Sequence, residues 1–418
     1  MDNGLRTPIL KGMKFDTDIV IAGGGLNGTT LALALSSAGF QVTLVDPIKQ
    51  SKRKGAKFDG RSYALAIASK HVLSALGVWS SLNDVQPILE IKVTDGRAGE
   101  GPSPLMLAFD HAEIEEGPMG FMVEDRHLRP ALLDAVAKSD ITEISGESVE
   151  NEDPDTAGVT VTLSSGKSLR ARLLIACDGK KSAIAHRAGI KRIGWQYDQS
   201  ALVTAISHER PHNGTAHQFF MPSGPLAILP LTKNRASIVW TETRARAQTI
   251  QAMDDEAYLE ELRPRFGDFL GDISLAGARF TYPLELSIAS RFVAQRTALV
   301  GDAAHAVHPI AGQGLNAGLK DVAALAEVLV DAKRRGEDIG RADVLARYQQ
   351  WRRFDTASLA LATDTFNKLF SNDNTALRLI RDIGLGVTNA LPGLRRGLIR
   401  EAAGLTGDLP RLARGQAL

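Results

Sequence analysis

Six residues near the start of the chain, Gly23-Gly24-Gly25-Leu26-Asn27-Gly28, set the strongest limit on what it can fold into. They hold the G-x-G-x-x-G spacing, follow a short apolar run at 18–22 (DIVIA), and lead into a Leu- and Ala-rich segment at 31–38. That order predicts a strand, a glycine turn and a helix. Gly39 closes the helix and residues 42–45 form a second strand, completing a parallel βαβ unit. In such a unit Gly23 permits the tight turn, Gly25 lets the backbone approach a pyrophosphate, and Gly28 lets helix and sheet pack closely. The helix N-terminus offers free N–H groups and partial positive charge to the phosphates. Asp46 ends the second strand, where a carboxylate accepts bonds from a ribose and disfavours a 2′-phosphate. The bland alternative is a glycine turn that binds nothing.

The uncharged run 19–45 also has the length of a membrane span, about 20 residues. Four glycines and the polar Asn27, Thr29 and Thr30 interrupt it, so strand, turn and helix describe it better. Residues 1–16 carry Asp2 and Asp16 without an apolar core and predict neither a secretory signal nor a transit peptide. With 49 basic and 48 acidic residues there is no global field to attract nucleic acid. A single cysteine, Cys177, excludes an internal disulfide and a thiolate zinc site, and reads as a small core residue. These features point to a reducing compartment and a bacterial cytoplasmic protein.

Further along, apolar spacing at Leu65, Ala68, Val72, Leu73 and Leu76 predicts a helix over 61–76, and 127–137 predicts another with Pro130 in its first turn. Residues 158–163 and 168–175 form a hairpin that ends at Cys177-Asp178-Gly179. Residues 226–231 and 236–241 form a second, around a turn at 232–235. A buried strand at 297–300, a long helix at 313–330 and an amphipathic helical region from about 343 follow. The fold class is α/β: a discontinuous Rossmann-like nucleotide-binding domain, an inserted β-sheet domain and a C-terminal helical tail.

Two later segments narrow the cofactor. Residues 173–182 read LLIACDGKKS, and 296–321 read RTALVGDAAHAVHPIAGQGLNAGLKD. They resemble the secondary FAD motifs of the aromatic-ring flavoprotein monooxygenases, of para-hydroxybenzoate-hydroxylase-like fold. The second segment, Asp59-Gly60-Arg61 and the run 224–230 (GPLAILP) are similar to the ubiquinone-biosynthesis hydroxylases within that class. The resemblance implies an FAD-binding domain from 14–79, 105–183 and 279–350. It implies a β-rich substrate domain from 80–104 and 184–278, and a helical region at 351–418. It further implies that Asp302, beside Gly301, holds hydroxyls of FAD; the alternative is a helix N-cap. Pro309, Gly312, Gln313 and Gly314 would lie against the flavin ring, and Asn316 either donates to it or caps the helix. Asp178, Gly179 and Ser182 match the middle motif, but Ala185 stands where the family usually has arginine. Arg61 and Arg126 resemble arginines near the cofactor, with pairing to Asp59 or Asp125 as the alternative. His305 and His308 lack zinc-site partners, so no metal is expected.

By the same resemblance NAD(P)H is a transient co-substrate, and a flavin C4a-hydroperoxide formed with O2 hydroxylates the ring of a polyprenylated phenol. Other ubiquinone-biosynthesis proteins are possible partners. No general base is assigned; Tyr282, His217, His305 and His308 are candidates, each equally readable as structural. Two readings compete: an FAD monooxygenase of a soluble aromatic compound, and a non-catalytic flavin-binding subunit of a biosynthetic complex. Residues 366–418 carry eight basic and four acidic side chains. Leu377, Ile380, Gly384, Val387 and Leu391 make an apolar stripe there, followed by Arg395, Arg396 and Arg400. This predicts either peripheral contact with the inner membrane or a helix packed on its own domain.

Overall fold

The computed structural model describes residues 14–53, 58–97, 99, 101–102, 106–306, 313–370 and 388–418. The chain opens with strand β1 (Thr17–Ala22), helix α1 (Leu26–Ser37) and strand β2 (Val42–Asp46). β1 and β2 run parallel and are almost wholly buried, as their Val, Ile and Leu content requires when both faces are covered. α1 starts earlier than the predicted Leu31 because Gly25 occupies its N-cap position. The Thr29 and Thr30 hydroxyls donate to the carbonyls of Gly24 (3.0 Å) and Leu26 (2.7 Å). These two polar residues can therefore be buried inside the first turns.

A larger correction concerns residues 61–76, expected as one helix. Ser62–Ala66 is strand β3, and only Ile67–Ala75 is helical, α2. β3 pairs antiparallel with Gly120–Glu124, and a side chain at Gly120 would meet the Leu65 carbonyl at 2.9 Å. Cross-strand pairing overrides the helical spacing, which the end of a strand and the helix after it can share.

Strand β4 (Glu90–Arg97), helix α3 (Asp125–Ala137) and strand β5 (Ser168–Ala176) come next. β5 completes the predicted hairpin with Val159–Leu163. There follow β6 (Arg192–His208), β7 (Thr215–Met221), β8 (Gly224–Leu231), β9 (Arg235–Thr243), helix α4 (Asp255–Phe266), β10 (Phe280–Ala289) and β11 (Thr297–Leu299). In the first large sheet β2, β1 and β5 are parallel neighbours, with β11 parallel to the last residues of β5. In the second, β10, β6, β9, β8 and β7 are antiparallel neighbours in that order, and β4 runs parallel to β7. The predicted β8–β9 hairpin closes through Lys233 and Asn234, whose φ values are +64° and +50°. Leu107–Asp110 and β10, just beyond the segments 80–104 and 184–278, also join this second sheet.

The second sheet buries one face under α4. Leu202, Ile238 and Trp240 pack there with Tyr258, Leu262 and Phe266. Each such large side chain, removed from water, contributes about 2 kcal/mol, an upper figure because unfolded chains are partly compact. Helices α5 (Gln313–Arg334), α6 (Ala342–Phe370) and α7 (Pro392–Ala402) form the C-terminal part. Of the expected apolar stripe, Leu377, Ile380, Gly384 and Val387 lie outside the described residues, and Leu391 is half exposed before α7. Near the end of the chain Leu412 and Ala413 are buried, and the Ala413 carbonyl meets His71 Nδ1 at 3.1 Å. Among the described residues no helix is long and apolar enough to cross a membrane.

Candidate active site

The glycine loop is shaped by close backbone approaches. Gly23 has φ +106°, and a Cβ there would lie 2.3 Å from the Cys177 carbonyl oxygen. A Cβ on Gly28 would lie 1.9 Å from the Gly23 carbonyl oxygen, whereas one on Gly25 would meet nothing within 4 Å. Two glycines thus serve packing, and the third faces open space. Asp46 is buried at the end of β2, where its Oδ2 accepts from Gly24 N–H (2.6 Å) and its Oδ1 from Ile48 N–H (2.8 Å). Its carboxylate, read from sequence as a ribose acceptor, therefore already braces the loop. Arg53, which no motif marked, is buried beside it, donates to the Gly24 carbonyl (3.0 Å) and pairs with Glu143.

A cavity of about 550 Å³ separates this loop from the second sheet. One wall holds Gly25, Gly28, Gly179, Asp302 and Gly314; the other is apolar, with Ala201, Val203, Ala227, Leu229 and Val239. Three observations fit a dinucleotide here. Among the described residues no side chain caps α1, and no acid lies in its first turn, so its first N–H groups keep their positive end free. Asn27 Oδ1 and Ser62 Oγ are buried in the cavity lining without a hydrogen-bond partner among the described residues, and orphaned buried acceptors of this kind ask for a ligand or water. A Cβ on Gly314, at the start of α5, would also meet none of the described residues within 4 Å.

A family model for the FAD binding domain matches residues 16–359. A ubiquinone hydroxylase of Rhodospirillum rubrum is 43% identical over 406 residues, covering 96% of this chain and 93% of that protein. The chain belongs to the ubiquinone-biosynthesis hydroxylases. The hydroxylase is also similar to the 3-demethoxyubiquinol 3-hydroxylase of Escherichia coli, at 35% identity over 93% of this chain and 99% of that one. Its fold is that of p-nitrophenol 4-monooxygenase from Pseudomonas putida, with TM-score 0.77, 20% identity, and coverage of 94% and 98%.

The other predicted residues of the hydroxylase fall at several distances from the cavity. Asp302 lines it and is not an N-cap: Val300 holds that position in the 3-10 turn Gly301–Ala303. Desolvation by its surroundings raises the Asp302 carboxyl pKa, opposed by His305, Lys180 and Arg192, while its side chain stays accessible. Gly179 lines the cavity, and Asp178 Oδ2 accepts from Ile184 N–H at 3.4 Å. Arg187, two residues past Ala185, forms a bidentate pair with Glu152. Arg61 pairs with Asp59 (2.7 Å) and Asp125 (3.5 Å). Arg126 pairs with Glu124 (2.6 Å) and lies over Phe58, which Arg235 covers as well. Asn316 is buried; its Oδ1 accepts from Ala66 N–H and Ser69 Oγ–H, and its Nδ2 donates to the Ala64 carbonyl. It locks α5 to β3 and α2. Pro309, Gly312 and His308 lie outside the described residues, and Gln313 begins α5.

His305 donates from Nε2 to Asp321 Oδ2 at 2.6 Å. Asp321 is fully buried and also accepts from Gly301 N–H (3.0 Å) and Arg352 Nε–H (2.8 Å). This network ties the Gly301-Asp302 turn to α5 and α6. A sequence signal for it existed: Asp321 is the lone acid on a stripe with Ala317, Ala324, Leu325 and Val328, where a carboxylate needs buried partners. Among the described residues no cluster of His, Cys, Asp and Glu could hold a metal. Of the candidate bases, Tyr282 lines the cavity. His217 sits on the other face of the second sheet, on the side of Phe219 and Ile228.

Proposed function

We propose that the chain is an FAD-dependent monooxygenase that uses NAD(P)H and O2 to hydroxylate the aromatic ring of a polyprenylated phenol in ubiquinone biosynthesis. The reading rests on one observation: a cavity with a dinucleotide-fitting polar wall facing an apolar wall of small side chains. The FAD-binding domain comprises 14–79, 105–183 and 279–350, and the substrate domain 80–104 and 184–278, whose sheet the FAD-domain strands Leu107–Asp110 and β10 extend. Gly25 and the first N–H groups of α1 receive the pyrophosphate, with Gly23 and Gly28 shaping the loop. Asp46, through the brace it makes with Gly24, sets the adenosine end, where it faces the ribose. Asp302 and Gly301 hold the ribityl hydroxyls, and Gly179 with Asp178 borders them. Gly312, Gln313, Gly314 and Pro309 flank the ring, Asn316 positions α5, which begins at Gln313, and Arg61 and Arg126 lie near the cofactor. Bound FAD supplies the redox chemistry, so that one atom of O2 enters the ring and the other leaves as water. The apolar wall excludes water from the reacting atoms and orients the phenol.

The test is turnover of the FAD-loaded protein with NADH or NADPH, labelled O2 and a short-chain polyprenylphenol. The expected result is at least tenfold faster nicotinamide oxidation with the phenol, and one labelled oxygen in the product. Coupled turnover only with a soluble aromatic acid would replace the substrate assignment. A flavin that nicotinamide fails to reduce, with the phenol present, would instead mark a non-catalytic subunit.

The second expected partner is the cytoplasmic surface of the inner membrane. Leu391, Leu394 and Leu398 are 49%, 49% and 39% exposed on or beside α7, and Arg396 is exposed with them. Arg395 and Arg400 are tied to Glu113 and Glu116, so the attachment draws more on the leucines than on charge. Sedimentation with phosphatidylglycerol vesicles should retain most of the protein at low salt. Replacing Leu394 and Leu398 by serine should release it, and full retention of that variant would refute the assignment.

A further inference from the structure

The second sheet has two faces, and the cavity above occupies only one. Along β7, His217, Phe219 and Met221 point to the other face, where Phe219 joins the core beneath α4. Past the end of α4 at Phe266 the described residues leave that face unfilled. A cavity of about 860 Å³ lies between Lys92 and Thr94 of β4, the three β7 residues, and the segment 263–273. Protein interiors seldom leave a space of this size, which is the size of a small-molecule site.

Its wall is aromatic. Phe269 has its ring centroid 4.5 Å from His217, 5.4 Å from a stacked Phe266 and 6.4 Å from Phe219, which it meets edge-on. His217 makes ring contacts only; neither ring nitrogen has a hydrogen-bond partner among the described residues. Burial and the nearby Lys92 push its pKa down to about 4, against the pull of Glu90. The ring is therefore neutral near pH 7, with one N–H to donate and one lone pair to accept.

The cations around the rim do not favour an anion. Lys92 carries Glu90 (3.0 Å), Arg263 carries Glu256 (3.2 Å) and Arg265 carries Glu242 (3.3 Å). Arg210 donates to the Asp268 carbonyl (3.2 Å), and Glu209, Asp268 and Asp272 add negative charge. An acidic ligand would have to displace carboxylates already in place, whereas a neutral one needs only the unused imidazole.

We propose that this cavity is a second ligand site, taking a neutral aromatic ring that bears a hydroxyl, with the ring among Phe219 and Phe269 and the hydroxyl on His217. It lies across the sheet from the flavin-side cavity, so occupation of one leaves the other open.

Isothermal titration of 4-phenylphenol into the FAD-loaded full chain tests this. Ala227→Phe, whose added ring crowds the phenol-binding wall of the flavin-side cavity, should keep the His217-dependent part of the binding seen in wild type. His217→Phe should bind at least tenfold more weakly, His217→Gln should recover most of the affinity, and biphenyl should bind wild type as poorly as phenylphenol binds His217→Phe. In the unaltered protein the ring-nitrogen NMR signals of His217 should move during the titration, a readout that survives if a variant does not fold. Affinity lost in Ala227→Phe but kept in His217→Phe would place the ligand on the flavin side and overturn the proposal. So would the absence of saturable binding, which would make the space a packing gap.

Discussion

Gly28→Ala should purify without flavin. The added Cβ would sit 1.9 Å from the Gly23 carbonyl oxygen and 3.1 Å from Cys177 Cβ. The nearest clash is with main chain, so no rotamer change relieves it; α1 has to lift from β1 and β5. Overpacking of a fixed backbone contact costs about 3 kcal/mol, and the lifted helix no longer aims its first N–H groups at the cavity. The expected readouts are a visible-absorbance ratio of flavin to protein near zero after gel filtration and a lower urea midpoint. Gly25→Ala separates binding from folding. Gly25 has φ −68° and ψ −176°, which alanine adopts freely, and its Cβ would touch none of the described residues within 4 Å. Its urea midpoint should match wild type while flavin retention falls at least tenfold. A Gly25→Ala protein that keeps its flavin would show that the pyrophosphate does not approach there.

Asp321→Asn should be the most destabilising conservative change outside the loop. It leaves Arg352, whose side chain is 4% exposed, with Asp355 as its remaining acidic partner, 2.7 Å away and open to water. Removing one partner of a buried charge pair costs about 3–5 kcal/mol. The loss carries a pH signature. Burial raises the Asp321 pKa, but the charges and hydrogen bonds of His305 and Arg352 outweigh it and hold the carboxyl below its ordinary value of 3.8. A carboxyl with a depressed folded pKa binds its proton more readily once unfolded, so its contribution is present above about pH 4 and fades as the pH falls further. Urea midpoints for wild type and variant should therefore differ most near neutrality and converge below about pH 4. A constant gap across that range would show that Asp321 acts through shape rather than charge.

Much of this was legible in the residues because it was local. The glycine loop, β5 with its hairpin partner, the β8–β9 turn and α5 each follow from spacing within one segment. What stayed hidden was settled by partners distant in sequence. β3 is a strand because Gly120–Glu124 lies beside it. Asp46 accepts from Gly24 N–H and Arg53 donates to the Gly24 carbonyl, 22 and 29 positions away in sequence, and Asn316 is drawn to residues some 250 positions earlier. Arg61 and Arg126 show the same limit: a motif marks an arginine, but only the fold reveals which carboxylate already holds it.

The strand order of the first sheet is also an order in time. β1 ends at Ala22, β5 begins at Ser168, and β11 ends at Leu299. During synthesis at about 5–20 residues per second, the 277 residues between Ala22 and Leu299 take roughly 14–55 s. For that interval the glycine loop lacks part of its platform, while the hairpins from β6 to β9 need only neighbours made just before them. The substrate-facing sheet can therefore form ahead of the unit that encloses it. The first strand has both neighbours once β5 is made, so the stretch that waits longest is the apolar end of β5, residues 174–176, which lacks its outer partner until β11 emerges.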